Sequence, residues 1–164
     1  MNKKLATILF VFLLVAGTTS IYAQQSVLEV KKERTNPDGG FSFLAKRLEE
    51  KFKLFISSPF PSRKEKVYED LNSVRLSELK YVVEKPDMAN FEKATIRYST
   101  TVGMWVEYIA EKKLDAEKAS TRETLLNHKP IIENLMTHFD TTTAEWRFLK
   151  HDLDYLQIYS DQIK

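Results

Sequence analysis

The chain has no cysteine among its 164 residues, so a disulfide framework, a thiolate metal site and a cysteine nucleophile are all excluded. Glycine is almost as scarce. Two of the four glycines, Gly39 and Gly40, stand side by side ahead of the main body, which is left nearly without the residue that tight hairpins and phosphate-cradling loops require. No G-x-S-x-G, P-loop or H-E-x-x-H pattern occurs. The three histidines, His128, His138 and His151, are never three or four residues apart, so no helix carries a local metal pair. An excess of charge of one sign is also missing. Of 25 Lys and Arg, Lys3 and Lys4 belong to a leader, which leaves 23 cations against 23 Asp and Glu. That balance gives no reason to expect nucleic acid or an anionic surface as partner.

Long hydrophobic runs are absent except at the N-terminus. "MNKKLATILFVFLLVAGTTSIYAQQ" has a positive start at Lys3 and Lys4, an apolar stretch from Leu5 to Ala16, and Ile21 and Ala23 where a signal peptidase inspects small or apolar residues. Twelve residues are too few to span a hydrocarbon core of about 30 Å as a relaxed helix. Residues 1–23 therefore read as a cleaved signal peptide with Gln24 as the new N-terminus, and an uncleaved membrane anchor is the alternative. Without cysteine, a lipid anchor on that residue is impossible. The remaining 141 residues suit one domain that buries enough core to fold without staples. No stable membrane span is expected after cleavage. The expected location is secreted or extracytoplasmic, in the cell envelope.

Residues 24–39 form a lead-in that ends in the chain-breaking "TNPDGG". From 40 to 164 the apolar residues recur at helical spacing, and the expected fold is an all-α antiparallel bundle of four or five helices. The helices are predicted near 40–56, 62–85, 87–117, 120–138 and 142–162. Ser62 with Glu65, Ser120 with Glu123, and Thr142 with Glu145 match the capping box that opens a helix. Asp87 after Pro86 reads as a further N-cap. Pro130, inside the fourth pattern, is expected to kink or restart that helix. Each helix has one apolar stripe. The first comprises Phe41, Leu44, Leu48, Phe52 and Phe55, and the third runs from Phe91 through Tyr98 and Trp105 to Ile109.

Three features stand out from this pattern. Glu78 falls in the middle of the second helix's stripe, with Arg75 one turn earlier. A buried charge persists only when paired, so an ion-pair network with the first helix is expected, with Arg47 and Lys51 as the partners that flank its stripe. His128 lies on an apolar stripe and reads as a hydrogen-bonded core residue, whereas His151, Asp152 and Asp154 read as a solvated face. Phe148, Tyr155 and Tyr159 form a second apolar side on the last helix, either packed between neighbours or open as a partner face.

"FSFLAKRLEEKFKLF", followed by "RKEKVYEDLNSVRLSELKYVVEKPDMANFEKATIRY", resembles an uncharacterised bacterial family, a domain of unknown function found in small exported or membrane-anchored helical proteins. Lys46, Arg47, Leu48, Glu50 and Lys51 match its first helix, and Arg75, Leu76 and Glu78 its second. The likeness covers roughly residues 37–115 and, more weakly, 125–139. Phe43 and Pro130 depart from the pattern. The resemblance implies fold and export, with no activity attached.

The reading is a helical binding or interaction protein of the envelope, with an envelope protein as the candidate partner. No catalytic residue, metal or cofactor is expected. Two other readings stand beside it: an enzyme whose site is built across helices, and a purely structural envelope protein.

Overall fold

Periodicity of 3.6 over long, glycine-poor stretches leaves helix as the one way to bury the apolar stripes, and five helices form. In the computed structural model, which describes residues 40–85 and 88–164, they are α1 (Phe41–Ser57), α2 (Pro61–Glu84), α3 (Met88–Lys112), α4 (Asp115–Met136) and α5 (Ala144–Gln162). The expected signal peptide, the lead-in and the Asp87 cap lie outside the described residues. The fold is all-α, with helices packed in antiparallel pairs. Two hairpins, α2–α3 and α4–α5, join mainly through α3 against α5, and α1 rests on α2.

The stripe of α3 makes the centre. Phe91, Ala94, Tyr98, Val102, Trp105, Val106 and Ile109 are all buried, as their spacing predicts. Leu76 and Leu79 of α2, Leu125, Ile132 and Leu135 of α4, and Leu149 and Leu156 of α5 close around them. Each such side chain contributes about 1.5–3 kcal/mol relative to leaving it in water. The middle of α2 is enclosed on nearly all sides, polar residues included: Asn72, Ser73, Arg75, Ser77 and Glu78 are buried along with its leucines.

The three capping boxes are not used as caps: tertiary partners take the side chains of the first, and local hydrogen bonds take the Ser120 and Thr142 hydroxyls. Helix α2 starts one residue early, with Pro61 pre-set for its first turn. The Ser62 hydroxyl donates to Glu117 of α4 at 3.1 Å, and Glu65 turns inward to accept from Trp105 Nε1 at 3.2 Å. Helix α5 is capped by Thr143 rather than Thr142. Thr143 Oγ1 accepts from the Trp146 amide, while Thr142 donates its amide and hydroxyl to Asp140. Helix α4 begins at Asp115, well before Ser120. Its first turn carries Asp115 and Glu117, which suit the positive end of the helix dipole, and the Ser120 hydroxyl donates back to the Glu117 carbonyl. Pro130 does not divide α4, which runs through it to Met136. It only withholds one donor from the ladder.

Residues 113 and 114, expected inside the third helix, are instead its terminus. Lys113 adopts φ 52°, and the Leu114 amide returns to the Ile109 carbonyl at 3.0 Å, closing α3 in the manner of a left-handed C-terminal cap. A lysine pays a steric penalty there that glycine does not. Lys113→Gly should therefore raise unfolding stability by up to about 1 kcal/mol. A denaturant titration that showed a loss would mean that the lysine stem makes contacts worth more than the strain.

Candidate functional site

Helix α1 meets α2 with the face opposite to its apolar stripe. At 100° per residue, Phe43, Arg47, Glu50, Leu54 and Ser57 share one side, and Phe41, Leu44, Leu48, Phe52, Phe55 and Ile56 share the other. The first side is the one turned inward, with Ser57 buried and the rest half-buried. The expected core stripe is instead open to solvent: Phe41 is 89 % exposed, Leu48 70 %, Phe52 61 % and Phe55 75 %. Phe60, just past the helix, continues the stripe at 55 %.

The reason lies on α2. Arg75 and Glu78 are buried and form an ion pair at 2.9 Å, as the sequence predicts. Arg75 has a second pairing, to Glu50 of α1, through Nη2. Arg97 of α3 lies 3.4 Å from the other Glu78 oxygen, an ionic contact longer than a well-formed hydrogen bond. The Arg97 guanidinium stands 5.5 Å from the centre of the Phe43 ring. Burial pushes its pKa below the usual range; Glu78 opposes that shift, and the Arg75 and Arg47 charges add to it. The network therefore runs Glu50–Arg75–Glu78–Arg97. Arg47 is half-buried beside it, and Lys51 is exposed on α1. The expected partners were Arg47 and Lys51 because the apolar stripe was assumed to face inward. With the helix turned over, the acid of α1 meets the arginine of α2, and Arg97 from a third helix supplies the second cation. Between α1 and α2 a groove of about 170 Å³ remains, lined by Lys46, Glu49, Glu50, Lys53, Val67, Asp70, Leu71 and Val74.

A second polar group sits inside the bundle. His128 is buried, and its Nδ1 lies 3.0 Å from the hydroxyl of the fully buried Tyr98, the core placement its spacing predicts. Asp152 is a correction: expected on a solvated face, it is 3 % exposed. Its neighbour His151 does face solvent. Asp152 follows the period of Leu149 and Leu156, three before and four after, a signal obscured by the charged residues on either side. Burial pushes its pKa up to about 8, with Ser99 offsetting part of the rise, and the nearby carboxyl adds to the upward shift of Tyr98. Among the described residues, no group of three His, Asp or Glu is placed to hold a metal ion.

The aromatic side of α5 is divided. Phe148 meets Phe91 edge-on at 6.4 Å, and the Tyr159 hydroxyl lies so close to Gly103 of α3 that a Cβ there would be 2.8 Å away. That approach explains a glycine in the middle of a buried helix. Tyr155 stacks on Tyr159 at 5.9 Å and is 44 % exposed. Two of the three expected partner-face residues thus pack on the bundle, and Tyr155 alone of them stays open.

Among the described residues, no helix is long and apolar enough to cross a membrane. Comparison with protein-family models, with curated proteins and with solved structures finds no match to this chain.

Two outcomes follow from the buried charges. Glu78→Ala leaves Arg75 and Arg97 short of their shared anion and should lower stability by about 3–5 kcal/mol; a change under about 0.5 kcal/mol in chemical denaturation would place Glu78 at the surface. Asp152 has a folded pKa above its unfolded value of about 3.9, so its contribution is fully present below pH 4 and is lost as pH rises toward 8. Asp152→Asn should flatten that decline and add on the order of 3 kcal/mol near neutral pH while changing little at pH 4. Equal effects at both pH values would rule out a buried neutral carboxyl.

Proposed function

We propose that this chain is an extracytoplasmic interaction protein of the cell envelope and that the outward apolar face of α1 is its working surface. One observation carries the reading: a helix held by its polar side presents a continuous apolar stripe to solvent. Phe41, Phe52, Phe55 and Phe60 alone, at 89, 61, 75 and 55 % exposure, expose on the order of 500 Å² if an aromatic side chain offers about 150–250 Å². With Leu44, Leu48 and Ile56 the patch passes the few hundred Å² that a monomeric protein ordinarily leaves open. The leader-like sequence of residues 1–23 supports an extracytoplasmic setting. The alternative of an enzyme finds less support: Tyr98, His128 and Asp152, where acid–base groups gather, are closed off from solvent. The aromatic side of α5 is a weaker candidate surface, since Phe148 and Tyr159 are engaged with α3.

The test is made in an exporting cell. Mass spectrometry of the chain recovered from the envelope fraction should find Gln24 at its N-terminus. Leu48→Glu together with Phe52→Glu should leave helicity and the unfolding midpoint nearly unchanged, because both side chains are already in water, yet release the chain from that fraction. A loss of several kcal/mol would show that the stripe is covered within the chain itself, and an unchanged distribution would show that it engages nothing.

A further inference from the structure

We infer that the occupant of the α1 face is the surface of an anionic phospholipid bilayer, on which α1 lies flat as an interfacial helix. This rests on the reading of α1 as the working surface and adds what that surface meets.

The argument is one of shape and charge together. Helix α1 is about 25 Å long at 1.5 Å per residue, and its apolar residues form one band along that length. It is docked to α2 by the opposite side, so the band points away from the protein body. An amphipathic helix with Phe and Leu on one side and Lys on its borders is the form that settles into the headgroup–acyl boundary. The charge of the chain is divided to match. Neutrality of the whole, which alone argues against an anionic partner, conceals this division. α1 contains four cations, Lys46, Arg47, Lys51 and Lys53, and two anions, Glu49 and Glu50. Residues 24–40 are balanced, so the chain beyond α1 is net negative. Of the two anions, Glu50 is drawn inward to Arg75, and Glu49 lies on Lys53 at 2.5 Å. The exposed border is left with Lys46, Lys51 and Lys53 against Glu49 and, across the groove on α2, Asp70. At the end of the stripe the Arg63 guanidinium stands 5.0 Å from the centre of the exposed Phe60 ring.

The same charges disfavour the other occupants. A second copy, seated stripe to stripe, brings two lysine-rich borders together. The lead-in segment offers Val27, Leu28 and Val30 as its only large apolar residues, against seven on the exposed stripe.

The experiment is flotation of the protein, purified as an exporting host processes it, with vesicles of phosphatidylglycerol and, separately, of phosphatidylcholine. Binding to phosphatidylglycerol, weakened by 0.5 M salt and much weaker on phosphatidylcholine, is expected. Replacing Lys46, Lys51 and Lys53 with Gln should weaken it by roughly tenfold or more. The Leu48→Glu, Phe52→Glu variant should abolish it while circular dichroism shows an unchanged fold. Equal binding to both lipids, or binding indifferent to both sets of changes, overturns the inference. Concentration-dependent dimerisation in ultracentrifugation, without flotation and abolished by the same Glu variant, also overturns it in favour of a second copy while the reading of α1 as the working surface stands. Loss of stability in the Glu variant, without flotation or dimerisation in the wild type, removes both.

Discussion

Arg75 decides how the first helix sits. It lies 4 % exposed in the middle of α2, on a stretch where almost every side chain is enclosed. A guanidinium cannot shed its charge at any ordinary pH, so the structure must bring acids to it. Glu78 is supplied by the same helix one turn away, but a fork with five donors accommodates a second carboxylate, and Glu50 of α1 is that group. Once Glu50 faces α2, geometry leaves Phe41, Leu48, Phe52 and Phe55 no option but to point the other way. One buried charge thus turns an amphipathic helix over, and the exposed apolar stripe follows from a polar requirement rather than from any property of the stripe.

The same dependence shows why some of the architecture was readable in advance and some was not. Five helices, their approximate limits and the buried stripe of α3 follow from apolar periodicity, which is local and strong. The pairing of Arg75 with Glu78 was readable because both residues lie on one helix, one turn apart. The third and fourth members were not, since Glu50 and Arg97 come from two other helices and nothing local marks which face of α1 is turned inward. The usual rule, that the greasy side goes inside, is a statement about area. It gives the wrong answer for α1 because the surface of α2 that meets α1 holds a buried arginine beside Val67, Leu71 and Val74, and only the Glu50 side of α1 can pair it.

Start signals failed in a related way. Ser62 and Glu65 have the right spacing for a capping box, yet Glu65 is needed by the Trp105 indole N–H in the core and Ser62 by Glu117 on α4. A capping hydrogen bond contributes about 1 kcal/mol, and satisfying a buried donor such as Trp105 Nε1 is worth at least as much. Where both claims fall on one residue, the buried one prevails. Asp152 is the case in which a buried polar group gains least in return: its carboxyl is enclosed by the bundle, and it responds by holding its proton toward pH 8.

These polar insertions differ in what they leave outside. Glu65, His128 and Asp152 sit within a closed bundle, so their partners and penalties are internal and the surface is unaffected. The Glu50–Arg75–Glu78–Arg97 network sits at the border between the four-helix body and a single added helix, where α1 has no neighbour on its far side among the described residues. There, satisfying the charges displaces apolar area outward instead of merely rearranging it inward. An exposed stripe of this kind is unfavourable in water by the same 25 cal/mol per Å² that drives the core together. The Glu50–Arg75 pairing offsets only part of that cost, and any surface that covers the stripe recovers free energy without disturbing the ion network beneath it.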